Sequence, residues 1–189
     1  MSSEAATPAT APDERYLLRA ARRGDLEAFG TLMRHYETTM YRVALRMLGT
    51  PADAEDAVQE AMVRAWRSLR RYRGDAALST WLYRITTNCC LTLIERRRPT
   101  TPLDDEHHHD HHPERLDPAD RLEQRESMRQ LLQAIDGLPP EQRAVVVLRD
   151  LEGLSYDEVA DVLEVSLAAV KGRLHRARLR LADELEGLR

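Results

Sequence analysis

The stretch Ala54-Glu-Asp-Ala-Val-Gln-Glu-Ala-Met-Val-Arg-Ala-Trp-Arg-Ser-Leu69 decides the fold class. Its apolar residues Ala54, Ala57, Val58, Ala61, Met62, Ala65, Trp66 and Leu69 recur at alternating steps of three and one. On an α-helix that spacing draws one continuous stripe, and no strand of period two can present it. Thr50-Pro51-Ala-Asp53 supplies the start: a hydroxyl cap, a proline in the first turn and an acid at the positive helix end. The opposite face carries Asp56, Gln59, Glu60, Val63 and Arg67, so a valine stands among charged and polar groups. Such a face is either solvated with one stray apolar residue or a docking surface.

Downstream, Gly74-Asp75 marks a loop, and Ser79 or Thr80 is placed to cap a helix running to about Arg97. Leu78, Leu82, Ile85, Cys89 and Leu93 point to a core, while Trp81, Arg84, Asn88 and Glu95 lie on another side. Nine arginines and two acids fall between Arg64 and Arg98, with four of the chain's nine aromatics (Trp66, Tyr72, Trp81, Tyr83). Basic charge tracks phosphates, aromatic faces stack on unpaired bases, and a carboxamide hydrogen-bonds a base edge. The segment reads as nucleic-acid binding, with an arginine-rich solvated face as its alternative.

Upstream, Glu14–Arg23 reads as a short helix stopped by Gly24. Asp25 caps the next, striped by Phe29, Leu32, Met33, Tyr36, Met40, Val43, Met47 and Leu48. Residues 13–98 thus form one helical domain. Residues 1–12 are rich in Ala, Ser, Thr and Pro without the basic and apolar regions of a signal peptide, and are expected to be disordered.

The net charge of −4 hides a segregation: +5 over residues 11–98, −6 over 99–120 and −2 over 121–189. Residues 99–120 hold four prolines, seven acids and the run His107-His-His-Asp-His-His112. With Leu103 and Leu116 as its only larger apolar residues, this segment reads as a flexible acidic, His-rich linker. Clustered histidines invite a metal, but no cysteine joins them and a flexible run loses entropy on ordering, so no metal site or cofactor is expected. Cys89 and Cys90 are adjacent with no Cys-x-x-Cys, which argues for a reducing cytoplasm. No stretch approaches a membrane span.

Residues 121–189 read as a second helical domain. Met128, Leu131, Leu132 and Ile135 make a stripe ended by Gly137-Leu-Pro-Pro140, and a helix over Glu141–Leu151 follows. Ser155-Tyr-Asp-Glu158 has the capping-box spacing. After the turn at Glu164-Val165, Ser166 caps a helix from Leu167 to about Glu186, the second helix of a helix-turn-helix. There Val170, Leu174, Ala177 and Leu181 face inward, while Lys171, His175 and Arg178 face out beside Arg176. Gly172 inside this helix costs about 1 kcal/mol relative to alanine, a cost that close approach to DNA explains. The fold class is therefore all-α, two small helical domains joined by a linker.

Asp53-Ala-Glu-Asp-Ala-Val-Gln-Glu60, Tyr72-Arg-Gly-Asp75 and Thr80-Trp-Leu-Tyr-Arg-Ile-Thr-Thr-Asn88 resemble region 2 of the extracytoplasmic function (ECF) sigma factors, bacterial RNA polymerase specificity subunits. Gly153-Leu-Ser-Tyr-Asp-Glu-Val-Ala160 and Val170-Lys-Gly-Arg-Leu-His-Arg-Ala-Arg178 resemble their region 4. The resemblance implies a promoter-specificity subunit rather than an enzyme, acting in the cytoplasm with core RNA polymerase and promoter DNA, and with an anti-sigma factor as a further partner. It implies core binding through Asp56, Gln59, Glu60, Val63 and Trp66. It implies melting and reading of single-stranded −10 DNA around Tyr72, Arg73, Gly74, Ser79, Thr80, Trp81, Arg84 and Asn88. Duplex −35 reading falls to Lys171, Gly172, His175 and Arg176, with Arg173 and Arg178 nearer phosphates. A free-standing helix-turn-helix regulator is the rival, and it leaves the Asp56–Arg67 face and the Trp81/Arg84/Asn88 set without a task.

Overall fold

The computed structural model of the chain describes residues 13–97 and 128–186, and all regular structure among them is helical. The first four helices are α1 (Glu14–Arg22), α2 (Leu26–Leu48), α3 (Pro51–Ser68), which runs into a 3₁₀ turn at Leu69–Arg71, and α4 (Leu78–Arg97). The second set is α5 (helical over 128–136), α6 (Pro140–Val146), a π turn at Val147–Leu151, α7 (Tyr156–Leu163) and α8 (Leu167–Glu186).

Local chemistry sets most of the ends. The carboxylates of Asp13 and Asp25 accept from the N–H groups of Arg15 and Ala28, and the Thr50 hydroxyl accepts from Asp53 N–H. Gly49 closes α2 in the left-handed region at φ 80°, where a side chain would be strained. Ser155 and Glu158 form the reciprocal capping box of α7, and the Ser166 hydroxyl accepts from Ala169 N–H at the head of α8.

Helices α2, α3 and α4 pack on one another around Leu32, Met47, Leu69 and Leu82, all essentially without exposed area. Burying one such side chain contributes about 1.5–3 kcal/mol. The second set closes on Ile135, Val145, Leu148, Val159, Val162 and Val170.

Four details differ from the periodicity. α4 starts at Leu78, because Leu78 is itself buried and Trp81 N–H already donates to the Ala77 carbonyl, so Ser79 and Thr80 lie inside the first turn rather than at its cap. Its buried set is wider than one stripe. Thr86, Thr87 and Cys90 are buried with Leu78, Leu82 and Cys89, while Ile85 and Leu93 are only half-buried, since α4 packs on α2 and α3 and also on α7. Met128 is exposed; the stripe of α5 is buried only toward its end, at Ala134 and Ile135. The helix expected over Glu141–Leu151 changes pitch at Val147, a π turn that directs Asp150 and Glu152 to partners outside their own helix.

The two helical sets also touch, which no local pattern indicates. Arg42 and Arg46 of α2 both reach the Glu152 carboxylate at 2.5 Å, and its side chain has no exposed area. The Tyr83 hydroxyl lies 3.4 Å from the same carboxylate. Arg143 donates to the Met47 carbonyl at 2.7 Å.

Candidate nucleic-acid interface

The first basic surface is built by the turn between α3 and α4. Tyr72 hydroxyl donates to the Ala76 carbonyl at 2.6 Å, closing a small loop in which Gly74 takes φ 84°. The Tyr72 ring is buried and tilted against Trp81, with centroids 5.1 Å apart, while Arg70, Arg71 and Arg73 remain exposed. Burial raises the Tyr72 hydroxyl above its ordinary range, reinforced by the charge of Glu14. Ser79 is half-buried and Thr80 buried.

Trp81, Arg84 and Asn88 share one side of α4 but meet different neighbours. Trp81 meets Tyr72. Arg84 leaves the first domain altogether: its Nη2 donates to the Asp161 carbonyl at 2.6 Å, and Nη1 lies 3.3 Å from the Glu164 carboxylate. Asn88 is exposed and lines an open concavity of about 340 Å³ with Arg64, Arg67, Ser68 and Ile85. This size is at the low end of ligand-sized clefts. Arg64 also pairs with Glu60 at 2.7 Å, and that hydrogen bond holds the Glu60 carboxyl below its usual range. No pattern within α4 joins Arg64 and Ser68 to Asn88, although Arg64, Arg67 and Ser68 stand at helical spacing on one face of α3.

On the outer face of α3, Asp56, Gln59 and Glu60 are exposed, and Val63 keeps 43% of its area in solvent. Trp66 is turned the other way, half-buried with its ring 5.0 Å from that of Phe29.

The second basic surface is α8. Val170, Leu174, Ala177 and Leu181 are its buried side. Lys171, His175 and Arg176 are exposed. Arg173 pairs with Glu141 at 2.7 Å and Arg178 with Asp150 at 2.7 Å, so two of the expected DNA contacts are held by the protein itself. A Cβ at Gly172 would meet only the tip of Arg176, at 3.4 Å. Packing within the fold therefore gives a weak reason for glycine there. Arg149 lies over the Tyr156 ring at 4.8 Å, and Lys171 stands 5.8 Å from the same ring.

Among the described residues no group of three or more His, Cys, Asp or Glu could hold a metal. The His107–His112 run lies outside them. No helix among the described residues is long and apolar enough to cross a membrane. Cys89 and Cys90 are both buried free thiols, and burial raises both above the ordinary thiol range.

Residues 32–100 match the family described as Sigma-70 region 2, and residues 128–181 match Sigma-70, region 4. The chain is similar to the ECF RNA polymerase sigma factor SigM of Mycobacterium tuberculosis H37Rv, 40% identical over 171 residues that cover 88% of this chain and 81% of that one. It is 39% identical over 161 residues to SigE of Mycolicibacterium smegmatis, covering 85% of this chain but 62% of that longer protein. Among solved structures, CnrH in complex with the cytosolic domain of CnrY is similar at a TM-score of 0.67 and 29% identity, covering 92% of this chain and 97% of that one.

Proposed function

Because the chain belongs to the ECF RNA polymerase sigma factors, alternative sigma factors that direct transcription initiation, we propose how its two surfaces divide promoter recognition. The observation that carries this reading is the pairing of two unlike basic surfaces. One combines a concavity holding an exposed carboxamide with a tyrosine–tryptophan loop; the other is a helix presenting Lys171, His175 and Arg176.

A duplex presents its base edges in a groove wide enough for a helix, so α8 suits the −35 element. Within the −10 element a base must leave the stack before its edge can be read, and Asn88 offers one donor and one acceptor to it. Arg64 and Arg67 flank that position and would offset the phosphates on either side. Tyr72 and Trp81, with the buried Thr80, would hold the loop bearing Arg73 and Gly74 at the fork between paired and unpaired DNA.

The outer face of α3, with Asp56, Gln59, Glu60 and Val63, would dock on core RNA polymerase. Trp66 would act there indirectly, by fixing α3 on Phe29. Catalysis then belongs to the polymerase, the protein is not an enzyme, and it works in the cytoplasm where the polymerase is. The solved relative CnrH was determined with the cytosolic domain of CnrY, and a protein partner, in the role of an anti-sigma factor, fits the present chain as well.

The test is reconstitution. The purified chain is mixed with core polymerase and run over a sizing column, then used for run-off transcription on genomic promoter fragments. Co-elution with promoter-specific transcripts is expected. Tight, sequence-specific duplex binding without polymerase would favour the free-standing regulator instead.

A further inference from the structure

On the proposed −35 reading of α8, on which the role assigned below to Tyr156 rests, the cations of this helix are held in unlike ways. Arg173 and Arg178 are paired with Glu141 and Asp150. His175 and Arg176 are exposed. Lys171 is exposed too, but no carboxylate among the described residues pairs with it, and its ammonium stands 5.8 Å from the centre of the Tyr156 ring. It is the one lysine among the chain's 28 lysines and arginines. An aromatic face attracts a cation without neutralising it, so the ammonium keeps its charge and its donors for a third group. A carboxylate in the same place would take up both.

The ring itself is fixed from other sides. Tyr156 is the first residue of α7, directly after the Ser155 cap that Glu158 closes into the capping box. Its side chain is half-buried against the hydrophobic core. Arg149 of the π turn lies over the ring at 4.8 Å, and its Nη1 donates to the Leu154 carbonyl at 3.0 Å. Tyr156 therefore offers Lys171 a stationary surface that belongs to the neighbouring helix. A lysine unrestrained on a helix samples many rotamers, and ordering it at one base edge costs entropy. Restraint by the ring removes part of that cost before DNA arrives. In a major groove the acceptors O6 and N7 of guanine are the edge that a cationic donor fits. A phosphate contact needs no such aim, because phosphates line a duplex of any sequence.

We infer that Tyr156 is a positioning residue for promoter reading: its ring aims the Lys171 ammonium at one guanine of the −35 element. With the ring in place, Lys171 separates guanine from the other bases at that position. Without it the charge remains, but only as a loosely directed attraction to phosphates. The ring face does this, and the Tyr156 hydroxyl has no part in it.

The experiment uses holoenzyme, reconstituted from the full chain and core polymerase, on a duplex promoter fragment that it transcribes. Each base pair of the −35 element is exchanged in turn, and competition affinities are measured over a range of salt. The proteins are the parent, Tyr156→Phe, Tyr156→Leu, Lys171→Met and the double variant Tyr156→Leu/Lys171→Met, each with a thermal melt. Lys171→Met should abolish a guanine preference at one base pair and make the salt dependence shallower by about 0.9. Tyr156→Leu should cut that same preference about two- to fivefold, the worth of an exposed cation–π contact, with the salt dependence unchanged. Tyr156→Phe keeps the ring and should keep the preference, and Tyr156→Leu should add nothing once Lys171 is gone. Tyr156→Met takes the place of Tyr156→Leu should the latter melt far below the parent. Equal losses in Tyr156→Phe and Tyr156→Leu, a loss uniform over all sequences, or a loss undiminished in the double variant each overturn the positioning role. A Lys171→Met holoenzyme with unchanged preference and unchanged salt dependence instead overturns the −35 assignment of Lys171, and the role of Tyr156 with it.

Discussion

Arg178 of α8 grips Asp150 of the π turn through two hydrogen bonds, from Nε at 3.1 Å and from Nη2 at 2.7 Å. The bond to Asp150 raises the Arg178 guanidinium above its ordinary value. The geometry ties α8 to the π turn that Glu152 directly follows. Under the proposed −35 role of α8, an arginine held this way is a phosphate contact in reserve.

Asp150→Asn should therefore release Arg178 and add about one phosphate contact. The logarithm of −35 duplex affinity plotted against the logarithm of salt should steepen by about 0.9. Arg176→Ala should do the reverse and also relax base preference. Both are read from salt titrations of holoenzyme on duplex promoter DNA.

Asn88→Ala should cost about 1–3 kcal/mol of discrimination at one −10 position, the worth of one base-edge contact. Its effect should shrink on a template already unpaired there, because the cost of unstacking has been removed. Arg176→Ala should be indifferent to premelting. Open-complex formation on matched duplex and premelted templates, at one salt concentration, measures both.

Val63→Glu should weaken core-polymerase binding while leaving the melting temperature nearly unchanged, because the side chain already faces solvent. Asp56→Ala and Glu60→Ala should act in the same direction. Titration of labelled core polymerase, with a thermal melt of each variant, separates docking from folding.

Ser155→Ala should destabilise the second helical set by about 1 kcal/mol, the usual worth of a hydroxyl cap. The Ser155 N–H and hydroxyl hold the Glu158 carboxyl below its usual range. A carboxyl lowered by folding adds stability above its unfolded value of about 4.3 and loses it as pH falls through the folded value. Urea titrations at neutral and acid pH should therefore show the deficit of Glu158→Ala shrinking in acid.

Cys89 and Cys90 should resist alkylation at neutral pH in the folded chain and react together on unfolding, since raised thiols hold little thiolate. A thiol raised by folding adds stability that is complete below its unfolded value of about 8.5 and is lost as pH climbs through the folded value. Mass spectrometry after timed iodoacetamide exposure, with and without urea, checks the reactivity.

The helices, most of their caps and the inward side of α8 were legible from residue spacing, because a stripe or a cap depends on residues within one or two turns of one another. The capping box Ser155–Glu158 and the buried set Val170, Leu174, Ala177 and Leu181 are of this kind. The start of α4 was not, since burial of Leu78 outweighed the hydroxyls that follow it. Val63 was visible as an apolar residue on a polar face; the inward turn of Trp66 depends on Phe29, far away in the chain. The uses of Arg84, Arg178 and Glu152 were decided by tertiary structure alone. Arg84 and Asn88 share a helix face, yet one goes to α7 and the other to a concavity shared with α3. Arg42 and Glu152 stand 110 positions apart, and nothing in either neighbourhood names the other. Spacing along a helix determines which way a side chain points; only the packing of helices brought together from distant parts of the chain determines what it meets there.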